Sequence, residues 1–176
     1  KTYIFYFRGT PLLVQIFLIY YGIAQFEFIR ESFLWSFFKD AYWCGILALT
    51  LNTCAYGAEI IRGGIQSVSF GQIESARSVG MSKFLLYRRI ILPIAFRQAL
   101  PAYGNEMILM VKATSLVSTI TIMDVTGIAR LVIAKTFSPV EIFIMAGLIY
   151  LTINFIITRL VSFTETKLTP YLQHAK

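Results

Sequence analysis
The chain has 176 residues; 57% are hydrophobic, 14% are charged, and the formal net charge is +7. Soluble domains carry about a quarter charged residues, so this composition argues against an ordinary water-exposed surface and for lipid or an unusually large core. The positive charge would suggest nucleic acid in a soluble protein, but in a membrane protein it fits basic cytoplasmic loops. The chain opens on Lys1 rather than Met and runs at once into apolar sequence, so a preceding segment with one more crossing is expected.

In chain order, four apolar runs reach the roughly 20 residues that a membrane-spanning helix needs. The first covers about Thr10–Phe28, with Pro11 as its start, because proline is tolerated in the first turn of a helix. The second covers about Ala41–Ile61 and contains Cys44 and Cys54. Those cysteines have no neighbouring His and fit neither a zinc pattern nor a disulfide framework, so they read as apolar filler. Glu59 and Arg62, three residues apart, read as a local interfacial pair. The third run covers about Ala99–Met123 and is interrupted by Asn105, Glu106 and Lys112; the fourth covers about Pro139–Phe163. None alternates with the period of a barrel strand. The expected fold is an all-α, polytopic transmembrane helix bundle, a single domain over residues 1–176. Tyr20 and Tyr21 on one side, with Trp35 and Trp43 near the opposite boundary, read as interface belts.

Lysine and arginine set the orientation. With the segment between the second and third runs inside, the cytoplasmic side holds Lys1, Arg8, Arg62, Arg77, Lys83, Arg88, Arg89, Arg97, Arg159, Lys167 and Lys176. The outer side holds Arg30, Lys39, Arg130 and Lys135, with Lys112 left within the membrane. The bias is self-consistent for four crossings.

That inner segment, about residues 66–98, turns polar and amphipathic. Helical spacing puts Ile73, Ala76, Val79 and Gly80 on one side, with Glu74, Arg77 and Ser78 turned elsewhere. Gly71 and Gly80 read as its starter and stopper, and Pro93 as a break before the third crossing. From composition alone this is a loop on the membrane surface or a short helix that plugs into a partner.

The motif residues then become specific. Glu74, Ser75 and Ala76, followed by Gly80 and by Ile90, Leu92 and Pro93, resemble the EAA loop of the integral membrane subunits of ABC importers. Ser75 stands where that family usually has Ala. Phe7–Gly22, Leu49–Ile65, Leu100–Leu116 and Ile149–Glu165 are similar to the polar-amino-acid branch of histidine, arginine, glutamine and opine permeases. The resemblance implies a type I importer permease of about five helices, with about four present here, in the bacterial inner membrane. It implies that Glu74, Ser75, Ala76, Arg77, Gly80, Leu92 and Pro93 couple to a cytoplasmic ABC ATPase dimer. It further implies a second permease subunit, identical or homologous, and an extracytoplasmic amino-acid-binding protein. The chain has no Gly-x4-Gly-Lys-Ser/Thr phosphate loop, so it is expected to be no enzyme and to carry no cofactor. ATP and Mg would belong to the ATPase.

Ionisable residues inside crossings are costly and are functional hypotheses by default. Asn105, Glu106, Lys112, Thr114, Ser115 and Asp124 are therefore the candidate substrate pathway, whose acidic groups would suit a cationic amino acid. Glu106 and Lys112 are six residues apart and fall on different helix faces, which leaves a bridge to another helix open. Two other classes remain. In an ion-coupled carrier, Glu106 would move protons, but the inverted repeats usual in such carriers are not visible. A nucleic-acid binder is weaker, because the basic residues are not interleaved with aromatics on one face. Arginine, lysine, histidine, glutamine and opine-type solutes all stay within the importer reading.

Overall fold
A computed structural model describes residues 1–168, and every regular element among them is helical. Lys176, counted above on the cytoplasmic side, lies outside the described residues.

The first apolar run, 10–28, starts its helical stretch after Pro11 as expected, and a separate helix precedes it. Helix α1 (Thr2–Gly9) ends where Thr10 turns extended. Pro11, at φ −62° and ψ 135°, then caps α2 (Leu12–Phe17). The helix continues through a π turn (Leu18–Gly22) and a 3-10 turn (Ile23–Gln25). The two parts, Thr2–Gly9 and Leu12–Gln25, meet at 106°. A residue before proline is pushed out of the helical region, so Thr10-Pro11 starts the second helix only by ending the first. Leu12–Gln25 is about 21 Å long at 1.5 Å per residue, short of a ~30 Å hydrocarbon core. Tyr20 shares a cavity with Asp40 and Tyr42, which puts it at the Trp43 end of the molecule and not at the opposite boundary.

Two helical turns, α3 (Glu27–Arg30) and α4 (Trp35–Phe38), lead into α5 (Ala41–Gln66). Then come α6 (Phe70–Ser78) and α7 (Lys83–Leu86). A π turn (Tyr87–Ile91) joins α7 to α8 (Leu92–Ala113). A 3-10 segment follows (Thr114–Ile120), and then α9 (Val125–Thr136) and α10 (Pro139–Leu168).

Pro93 is not a break. Proline lacks an N–H and its ring crowds the carbonyl four residues back, but the π turn just before it widens the helix there. Helical structure is continuous from Lys83 to Ile120 and bends by 49° before α9. The third run therefore starts well before Ala99. By length and composition, Ala41–Gln66 and Pro139–Lys167 each suffice to cross a membrane, and the count reaches four if each bent pair is one span. Along α10, Phe143, Leu148, Leu151, Phe155 and Leu160 are all exposed, a pattern suited to lipid or a partner and not to water.

The chain forms two compact units. One combines residues 1–56 with 108–155, the other 57–107 with 156 onward. The first has a core of Ile16, Ala48, Val117 and Ile120. The second has a core of Val68, Ala76, Leu86, Ile91 and Ala95. It also brings helices together at glycine: a Cβ on Gly64 would lie 2.6 Å from the Ala95 carbonyl oxygen, and one on Gly104 would lie 2.3 Å from Val161 Cγ1. Small residues at crossing points are how membrane helices approach closely.

Candidate functional site
The loop is built from Ser69 onward. Ser69 is extended (φ −62°, ψ 139°) and caps α6, so Gly71 lies inside the helix and is not its starter. Glu74, Ser75 and Arg77 are exposed, while Ala76 is buried. Ala76 packs in the core with Val68, Leu86, Ile91 and Ala95, so its small size serves contact within the chain. The expected apolar side holds for Ile73 and Ala76 but not for Val79, which is exposed. The reason is local: α6 ends at Ser78 and Val79 (φ −87°, ψ 14°) has left the helical register.

Gly80 is the stopper. Its N–H donates to the Arg77 carbonyl at 2.9 Å, and the Met81 N–H donates to the Ala76 carbonyl at 3.2 Å. These are the two bonds of a Schellman C-cap, which needs a left-handed residue at this position. Gly80 supplies it at φ +79°, and a Cβ there would meet nothing within 4 Å. Leu92 and Pro93 are exposed, and Leu92 lines an apolar groove with Ile61, Ile65 and Phe96. Glu59 and Arg62 form the expected local ion pair.

The candidate pathway residues differ in exposure. Asn105 and Lys112 are exposed, and Glu106 is buried. Thr114 and Ser115 sit in the 3-10 segment, where their hydroxyls donate to the carbonyls of Val111 at 2.7 Å and Lys112 at 2.6 Å. Ser118 and Thr119 do the same to Ser115 and Leu116. Such back-bonding competes with the α-helical ladder and accompanies the tighter turn.

Asp124 has a structural task. One carboxylate oxygen accepts the Gly127 N–H at 2.8 Å and caps α9. The other accepts the Tyr150 hydroxyl at 2.9 Å. Tyr150 in turn lies 3.1 Å from Thr126 Oγ1, and Thr114 stands beside the same hydroxyl. Asp124 thus caps α9 and ties it to α10.

Sequence reasoning missed a second polar node. Gln15 is 2% exposed although it lies within an apolar run. Its Nε2 donates to the Phe7 carbonyl at 2.9 Å and to the Thr10 carbonyl at 3.0 Å. Asn52 Nδ2 donates to the same Phe7 carbonyl at 3.2 Å and to Gln15 Oε1 at 3.0 Å. These amides satisfy the carbonyls that α1 loses at its end. A Gln four residues after a proline, inside an apolar run, was the available signal. Thr121 was missed too: it ends the 3-10 segment at φ 70°, a strained conformation for a β-branched residue.

The comparisons agree on one family. The family described as "Binding-protein-dependent transport system inner membrane component" matches residues 1–170. The chain is 62% identical over 172 residues to the nopaline transport system permease protein NocM of Agrobacterium fabrum, covering 97% of this chain and 71% of that protein. It is 61% identical over 170 residues to the octopine transport system permease protein OccM of Rhizobium meliloti, covering 97% and 69%. It is 47% identical over 176 residues to the histidine/lysine/arginine/ornithine transport system permease protein HisM of Escherichia coli, covering 99% and 72%. A crystal structure of an amino acid ABC transporter with histidines superposes with a TM-score of 0.84 at 40% identity, covering 94% of this chain and 73% of that one.

Proposed function
Since the chain belongs to the family of binding-protein-dependent transport system inner membrane components, we propose that it is the permease subunit of an ATP-driven importer for polar amino acids or opines. It works in the bacterial inner membrane beside a second permease subunit. A cytoplasmic ATPase dimer binds ATP and Mg, and an extracytoplasmic binding protein delivers the solute. The named solutes of its relatives, nopaline, octopine and the basic amino acids, favour solutes of that kind.

The observation that carries the coupling role is the division of labour in α6. Glu74, Ser75 and Arg77 are exposed, and charged groups there suit charge-assisted bonds to a partner. Ala76, one position away, is buried against Val68, Leu86, Ile91 and Ala95. Val68 follows α5, and Leu86 to Ala95 lead into α8, so a force on α6 is passed to both long helices by packed side chains. ATP-driven closure of the ATPase would then move them as rigid bodies.

The test is purification of the complete importer with native or altered Glu74–Gly80. Loss of the ATPase subunit on alteration, with the permease still folded, supports the reading. A chain that purifies alone and moves solute down an ion gradient overturns it.

A further inference from the structure
Thr121 is strained, and the strain sits beside a notch. The residue ends the 3-10 segment at φ 70° and ψ 8°. A β-branched side chain in that conformation is an outlier, and such strain persists only where the surroundings hold it. The seating of Ile122 holds it. A Cβ on Gly45, near the start of α5, would lie 2.9 Å from Ile122 Cδ1 and 3.4 Å from Val117 Cγ1. A Cβ on Gly127 would lie 2.4 Å from the Ile122 carbonyl oxygen. The side chain and the carbonyl of Ile122 thus each occupy space that a glycine leaves open.

Both flanks of this segment are fixed. Val117 and Ile120 are buried in the core with Ile16 and Ala48, and Asp124 caps α9. Between them, Thr121, Ile122 and Met123 line two cavities. One, of about 650 Å³, lies beside Tyr20 and Asp40. The other, of about 470 Å³, lies beside Ser118 and Arg130. The three residues form a partition with room on either side. A 3-10 stretch within a helix is also a usual mark of a hinge.

Resting on the importer reading, we propose that Thr121 and Ile122 form a sprung latch that biases the 49° bend before α9 during the ATP cycle. Ile122 seated against Gly45 is the latched position. The left-handed Thr121 favours release, because leaving that conformation relieves its strain. Packed contacts of this kind are bistable and do not deform continuously. The seat and the strain act in opposite directions on one equilibrium, so weakening either must move it oppositely.

The experiment uses the complete importer in membrane vesicles. The two native cysteines, Cys44 and Cys54, are replaced by Ala. Val117→Cys then places a thiol beside the notch, where Val117 is 5% exposed. Its labelling by N-ethylmaleimide reads release, and turnover with ATP is expected to be faster than ADP alone. Thr121→Asn keeps the left-handed turn at less strain and should slow labelling about fivefold. Ile122→Val withdraws the atom nearest Gly45 and should speed labelling about threefold. Adding Gly45→Ala to Ile122→Val refills the notch and should bring the rate back toward that of native Ile122, whereas mere loss of stability would make the two changes add. Labelling that ATP leaves unchanged, or that Thr121→Asn and Ile122→Val move in the same direction, overturns the proposal when the vesicles still transport. Vesicles with the native chain that take up neither L-arginine nor octopine under ATP overturn the importer reading itself, a separate result.

Discussion

The two units differ in the contacts that shape them. In residues 57–107 with 156–168, helices meet at Gly64 and Gly104 and around Ala76 and Ala95. In residues 1–56 with 108–155, the bends are fixed by amides, a carboxylate and hydroxyls: Gln15 with Asn52, and Asp124 with Tyr150 and Thr126. Close packing of small residues punishes any added volume but has no preferred direction. A buried hydrogen-bonded node is directional and costly to leave half made. The first arrangement suits a region that must move as packed bodies, the second a region that must keep its shape. The contrast predicts different failures in each.

The largest effect is expected from Gly64→Val. The obstacle is a backbone carbonyl, Ala95 O at 2.6 Å from the added Cβ, which cannot rotate away. Overpacking of this kind costs about 3 kcal/mol and should appear as a marked loss of thermal stability in detergent. Gly104→Ala should also destabilise, because Val161 Cγ1 would lie 2.3 Å and the immovable Val161 Cβ 3.2 Å from the added Cβ, and a β-branched side chain in a helix has one strongly preferred rotamer. Unchanged thermal stability in both variants would mean that close packing at glycine does not hold this unit.

Next come Gln15 and Asn52. Gln15→Leu removes the donor to both Phe7 and Thr10, and Asn52→Leu strips the partner from Gln15 Oε1. Each is expected to cost about 1–3 kcal/mol, as an unsatisfied buried group does. The double change should cost less than the sum, because Gln15 Oε1 then no longer needs a partner. Simple additivity in a thermal-stability cycle would show that the two amides act independently.

The long apolar helices and the basic bias were plain in the sequence, because hydropathy and charge are summed over many residues. So was the end of α6 at Gly80, where only glycine meets the backbone's demand cheaply. What was not legible depended on single long-range partners. Asp124 looked like a membrane carboxylate, and it also caps a helix. Its place just before the apolar spacing Val125, Ile128, Val132 is a local start signal, but Tyr150 is 26 residues away. Pro93 looked like a break because the π turn that accommodates it has no sequence signature of its own. The bend at Thr10-Pro11 was marked, but its lock needed Asn52, 37 residues beyond Gln15.

A smaller effect belongs to Tyr150→Phe. It removes one bond to Asp124 while the Gly127 cap remains, and should cost about 1 kcal/mol. Asp124→Ala, which loses both, should cost more. Equal losses in a stability assay would mean that the tie to α10 is the whole role of Asp124 and its cap adds nothing.

The smallest stability effect, and the most informative for function, is at Gly80. At φ +79° with open space around it, Gly80→Ala pays only the left-handed penalty of about 1 kcal/mol. Asn tolerates that conformation better than Ala, so Gly80→Asn should be nearer to wild type in stability although its side chain is larger. The two roles of this glycine then separate. If it matters only for turning the chain after α6, ATPase coupling in the complete importer should follow backbone preference, with Asn better than Ala. If a partner seats closely against the loop, coupling should follow side-chain size, with Ala better than Asn, while stability still ranks them the other way. The second ranking is the one expected here, because the region around Gly80 is unfilled within the chain while the exposed Glu74, Ser75 and Arg77 precede it on the same short helix.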